Sequence, residues 1–117
     1  MVKYEDPVLD RIFSALADPT RRGVLESLSG GELAVSELAA PHGMSLPGFM
    51  KHLRVLEDAG LVSRSREAQR RPVHLEAEVF DLMTKWIEQY RREAEQRYQR
   101  LDALLAELPD ETEGEGS

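Results

Sequence analysis

Ser45-Leu46-Pro47-Gly48-Phe49-Met50-Lys51-His52-Leu53-Arg54-Val55-Leu56-Glu57-Asp58-Ala59-Gly60-Leu61-Val62 is the stretch on which the fold turns. Ser45 is a residue type that caps helix N-termini, and Gly60 is the type that ends helices in a left-handed turn. Between them, at 3.6 residues per turn, Leu46, Phe49, Leu53 and Leu56 fall on one side, while Pro47, Gly48, Lys51 and Arg54 lie roughly opposite. An apolar stripe facing inward, with small and cationic residues facing outward, is what a helix needs to enter the major groove of DNA. Pro47 and Gly48 leave room for close approach, and Lys51 and Arg54 can reach phosphates or guanine edges. Taken alone, the same pattern also fits an ordinary amphipathic surface helix.

The flanks of this helix choose between the two readings. Downstream, Leu61–Arg66 alternates toward a strand and Pro72–Leu75 reads as its return, with Glu67-Ala68-Gln69-Arg70-Arg71 as a basic tip. Arg64, Arg66, Arg70 and Arg71 could reach phosphates or a minor groove beside the helix. Charge that protects an exposed strand edge is the alternative; the preponderance of arginine favours DNA. Upstream, Ser36 opens a brief helix ended by Pro41-His42-Gly43, and two short helices joined by a glycine-containing turn form a helix-turn-helix. A hairpin this small must pack on the helical body, which makes it a wing.

Two helices precede this unit and one follows it. The first begins near Pro7 with Asp6 as its cap, and Leu9, Ile12, Phe13 and Leu16 form its apolar stripe. Asp18-Pro19 starts the second, which stops at Gly30-Gly31. From Val79 to about Leu108 runs one long helix without glycine or proline. Its residues Ile87, Tyr90, Ala94, Leu101, Leu104 and Leu108 keep a spacing near 3.5, broken by Arg97. The fold class is therefore mainly α with a small β-hairpin, a winged helix-turn-helix with a long C-terminal dimerisation helix. Residues 1–108 are expected to form one DNA-binding and dimerisation domain, and 109–117 an acidic disordered tail.

The formal net charge of -7 over 117 residues argues at first sight against nucleic acid. Glu107, Asp110, Glu111, Glu113 and Glu115 lie at the C-terminal end with no base among them, and without them the balance is about -2. From Ser45 to His74 the sign reverses, with Lys51, Arg54, Arg64, Arg66, Arg70 and Arg71 against Glu57, Asp58 and Glu67. Only the contacting face must neutralise phosphates. There is no cysteine, which excludes disulfides and thiolate metal sites. No apolar run approaches membrane-spanning length and the N-terminus has no signal-peptide pattern, so a cytoplasmic protein without membrane association is expected.

The chain resembles the ArsR-type winged-helix transcriptional regulators, in particular their cysteine-free branch. The resemblance spans about residues 8–108. It rests on Ala15-Leu16-Ala17-Asp18-Pro19-Thr20-Arg21-Arg22, on Val35-Ser36-Glu37-Leu38-Ala39, and on the Lys51–Val62 segment, in that order. It implies a homodimer built from the first and last helices, with two recognition helices set for a palindromic operator, and a repressor as the function. Met50 stands where many relatives carry serine, which removes one polar contact. The metal ligands of the sensing relatives are absent, because Val35-Ser36-Glu37-Leu38 replaces their cysteines and His42, His52 and His74 lie outside the last helix.

No metal, cofactor or catalytic group is therefore expected. His52, at the edge of the buried stripe, reads as a structural or phosphate-contacting histidine, since zinc needs three or four ligands at set spacing. Ser45 and His52 lack an acid partner, which leaves an enzyme improbable. Trp86, Tyr90 and Tyr98 could line an effector pocket at a dimer interface, or simply pack. The competing function from another class is a protein-interaction module that retains the winged-helix fold. Its weak point is that such a module has little reason to keep the recognition face basic.

Overall fold

The computed structural model describes residues 7–66 and 71–109. Its elements are α1 (Pro7–Leu16), α2 (Pro19–Leu28), α3 (Val35–Ala39), a 3-10 turn at Ala40–His42, α4 (Leu46–Asp58), β1 (Val62–Arg64), β2 (Val73–Leu75) and α5 (Ala77–Glu107). The chain divides into two compact units, one ending at Leu82 and the other starting at Met83. No described helix is long and apolar enough to cross a membrane. The expected Asp6 cap, the tip residues Glu67–Arg70 and the tail from Asp110 lie outside the described residues.

Side-chain caps explain why the helices start and stop where they do. Asp18 is extended, and its Oδ2 accepts the Arg21 N–H at 3.1 Å at the start of α2, with Pro19 where no backbone donor is needed. The carbonyls ending α1 have no partner within their helix, and two guanidinium groups from α2 supply one. Arg21 donates to Ser14 O at 3.1 Å and Ala15 O at 2.7 Å, and Arg22 to Leu16 O at 2.8 Å. α3 starts at Val35, one residue before the expected Ser36. Leu33 exchanges two backbone hydrogen bonds with Val73 (3.1 and 2.7 Å), so the chain is extended there and turns helical straight afterwards. Ala34 has no capping oxygen, and Glu37 reaches back to accept the Ala34 N–H at 2.9 Å.

The core of the first unit is apolar and contains no buried charge among the described residues. Ile12, Val24, Leu38, Phe49, Leu53, Leu56, Leu61 and Val73 are fully buried. β1 and β2 pair antiparallel with Ser63 opposite His74, and Ser65 N–H to Pro72 O extends the ladder by one bond. The strands are shorter than the alternation suggests, because Leu61 belongs to the helix ending. Its N–H reaches back to Leu56 O at 3.0 Å around Gly60, whose φ is 78°. A Cβ at Gly60 would also lie 3.1 Å from Val79 Cγ2.

Two expectations about burial are corrected. Leu46 is 57% exposed, outside the buried stripe. The start of α4 projects beyond the packed segment, with Ser45 and Pro47 exposed as well. Leu9 and Ile12, expected to face a second copy, pack with Ala15 in the core of their own chain. Phe13 remains exposed and Leu16 half-buried.

α5 starts at Ala77, two residues before the expected Val79. Over its 31 residues it extends about 46 Å at 1.5 Å per residue. In the second unit Ile87, Tyr90, Tyr98, Leu101, Leu104, Leu105 and Leu108 are all exposed, as is Ala94. Another face carries an ion-pair ladder in which Arg91 bonds Glu88 (2.8 and 3.0 Å) and Glu95 (2.9 Å). Trp86 and Tyr90 meet edge to face at 4.8 Å between centroids.

Candidate nucleic-acid interface

α4 is built to present its first turns. Ser45 Oγ accepts the Gly48 N–H at 3.2 Å and fixes the start of the helix. A Cβ at Gly48 would lie 3.2 Å from that same oxygen, so the cap and the missing side chain belong together. The helix packs by Phe49, Leu53 and Leu56, and Ser45, Pro47, Lys51 and Arg54 are exposed, with Gly48 half-exposed. Asp58 continues the outward row, seven residues after Lys51 and four after Arg54, and is also exposed. The cationic stretch is thus bounded by an acid at its C-terminal end.

Beside this face lies the mouth of the hairpin. Glu57, Val62, Ser63, Arg64, Arg66 and Arg71 line a groove of about 360 Å³. Arg66 and Arg71 are exposed, and no carboxylate pairs with Lys51, Arg54, Arg66 or Arg71 among the described residues. Arg71 holds a left-handed φ of 49°, a strained conformation for a side chain of its kind. Arg70 lies outside the described residues.

Arg64 is not an open cation. Its Nε and Nη2 donate to both carboxylate oxygens of Glu57, at 2.6 and 3.2 Å, with both side chains partly buried. This fork joins the last turn of α4 to β1, so Arg64 fixes the wing on the helix instead of reaching outward. The sequence offers Glu57 and Arg64 as two charges among many, and only the turn at Gly60 brings them together.

His52 is likewise engaged inside the chain. Its Nδ1 is 3.1 Å from Arg21 Nη1 and 3.8 Å from Asp18 Oδ2. The Arg21 N–H that bonds Asp18 holds this carboxyl below its ordinary range. The Thr20 N–H and the positive charge of Arg21 add to this, as would a protonated His52, and burial opposes it. Sequence reasoning missed Arg21 and Arg22 as functional groups, although both sit in the quoted Asp18–Arg22 block. His42 stacks on Phe49 at 5.7 Å and packs against Gly23, where a Cβ would lie 3.0 Å from its Cε1. That makes it a packing element of the helix-turn-helix.

A further cluster joins the strands at the wing's base. His74 Nε2 lies 2.7 Å from Ser63 Oγ, and the Ser63 hydroxyl donates to Glu76. The serine proton is therefore directed to a carboxylate and not to the imidazole, the wrong order for an activated nucleophile. No three His, Asp or Glu side chains converge on a metal-sized site among the described residues.

Comparison with known proteins agrees with this architecture. Residues 16–64 match a helix-turn-helix domain family. The transcriptional repressor SdpR of Bacillus subtilis is 34% identical over 52% of this chain and 68% of its own length. A solved ArsR family transcriptional regulator, RHA00566, is 44% identical with a TM-score of 0.71, covering 75% of this chain and 97% of that one. The homodimeric winged helix-turn-helix DNA-binding domain Mb0332 of Mycobacterium bovis is 28% identical with a TM-score of 0.58, covering 80% and 93%. The fold matches that of these solved neighbours, and the chain belongs to the ArsR family of transcriptional regulators.

Proposed function

We propose that this protein is a sequence-specific repressor that binds duplex DNA as a homodimer, in the cytoplasm, through residues 1–108. In this reading α4 enters the major groove, with Pro47, Gly48 and Lys51 over base edges and Arg54 toward a phosphate. Arg66 and Arg71, with Arg70, contact the flanking backbone. The observation that carries the reading is the exposed cationic row of α4, which has no carboxylate partner among the described residues and is continued by the arginines at the hairpin mouth. The exposed seam of α5 supports the dimer, with Phe13 and Leu16 as the share of α1. The repressor and homodimer named among the relatives point the same way. Ser63 and His74 do not assemble into a nucleophile, which supports a binding protein rather than an enzyme.

A two-fold dimer implies an operator with two inverted half-sites about one helical turn, or 10–10.5 base pairs, apart. Gel-shift and footprinting against the DNA upstream of the protein's own gene test this. The expected result is a protected inverted repeat at protein concentrations that leave shuffled DNA unbound. Equal affinity for both duplexes overturns it.

A further inference from the structure

Arg21 joins three helices. Its guanidinium donates to Ser14 O and Ala15 O at the end of α1 and to His52 Nδ1 in the middle of α4, while its backbone N–H bonds the Asp18 cap of α2. Arginine carries no acceptor, so His52 Nδ1 must be the bare nitrogen and the imidazole proton must sit on Nε2. On the wheel of α4, His52 and Glu57 lie about 140° apart, on either side of the buried Phe49–Leu53–Leu56 stripe. Arg21 holds one flank and Arg64 holds the other. Apolar packing between these pins fixes how deep the helix sits. The two polar pins fix its rotation about its own axis, and rotation decides where Lys51 and Arg54 point.

We infer that Arg21 is a positioning residue for the recognition helix, acting through a His52 side chain locked in the tautomer protonated at Nε2. The inference rests on the DNA-binding reading above and adds to it a residue that touches no DNA. Loss of this pin lets α4 turn. Base contacts then lose alignment, while phosphate contacts on long flexible side chains persist. The consequence is lower discrimination between operator and random DNA at nearly unchanged non-specific affinity.

His52→Leu keeps bulk but removes the acceptor, and His52→Asn restores an acceptor near the place of Nδ1. Two measurements decide. Imidazole ¹⁵N shifts of the unmodified protein at neutral pH should show Nδ1 unprotonated, and a proton on Nδ1 overturns the inference. Dissociation constants for the protein's own upstream duplex and for a shuffled duplex should give a preference that falls about five- to tenfold in His52→Leu, the size of one lost hydrogen bond. His52→Asn should recover it to within about twofold. A change of folding stability alone, measured well below the melting temperature, moves neither the preference nor the tautomer. A preference unmoved by His52→Leu, or equally lost in His52→Asn, overturns the inference. If the unmodified protein shows no preference for either duplex, the DNA reading fails, and the tautomer still decides whether Arg21 locks His52.

Discussion

Leu104→Ala should weaken the dimer by about a hundredfold without unfolding the protomer. Leu104 is 61% exposed on α5, in line with Ile87, Tyr90, Ala94, Leu101 and Leu108. Truncation to alanine removes three carbons, worth about 2.4 kcal/mol at roughly 0.8 kcal/mol each when fully buried. Only the exposed 61% is available for a second copy to cover, which leaves about 1.5 kcal/mol per protomer. A two-fold interface counts each substitution twice, so the total is about 3 kcal/mol, or roughly two decades in the dissociation constant. Sedimentation equilibrium across nanomolar to micromolar concentrations measures it, and far-ultraviolet circular dichroism checks that the helix persists. An unchanged dissociation constant, or an unmodified protein that is already monomeric at micromolar concentration, refutes the assignment of this seam.

Three further outcomes follow from the site. Arg71→Ala should weaken binding to specific and random DNA alike and reduce the salt slope by about 0.9, while Lys51→Ala should cost about 1–3 kcal/mol of discrimination; the opposite pattern in a salt series would displace α4 from the groove. Arg64→Ala should leave the salt slope unchanged and lower stability instead, and a double-mutant cycle with Glu57→Ala in urea should return a coupling of at most about 1 kcal/mol, because both side chains keep some exposure. Asp18→Ala should lower the melting temperature most at neutral pH. The carboxyl of Asp18 is held below its ordinary range, so its contribution is present above that range and fades as pH falls through the lowered value. A gap that instead widens in acid would contradict the cap.

The parts of this fold legible in the sequence are those set by local chemistry. Ser45 and Gly60 bound α4 because a capping hydroxyl and a left-handed glycine act within a few residues of themselves. Asp18-Pro19 starts α2 for the same reason. Periodicity locates the apolar stripe of α1 but is blind to what covers it. Leu9 and Ile12 look the same as Phe13 on a wheel, yet they serve the chain's own core while Phe13 stays outside. Leu46 fits the inward face by angle and misses it by position, one turn ahead of the packed segment. Long-range polar pairing was least legible. An arginine in a basic hairpin reads as a DNA contact until Glu57 is found on its Nε and Nη2, and a histidine beside Lys51 reads as either structural or phosphate-contacting until Arg21 is found on its Nδ1.

That sorting of cations bears on how a chain of formal net charge -7 can hold DNA. Arg21 and Arg22 are committed to backbone carbonyls, Arg64 to Glu57, and Arg91 to Glu88 and Glu95. Lys51, Arg54, Arg66 and Arg71 are the exposed cations of the proposed face that have no carboxylate among the described residues. Lys51 lies over base edges in the proposed reading, so if Arg54, Arg66 and Arg71 each replace one phosphate counterion, a dimer releases about six, and the logarithm of affinity should fall against the logarithm of salt with a slope near -5. Arg70, if engaged, would steepen it to about -7. A measured slope between these values means that the internal pins stay closed on DNA. A slope well beyond -7 would show that Arg64 or Arg21 leaves its partner to meet a phosphate, and one near -3 would mean that a single protomer engages the duplex.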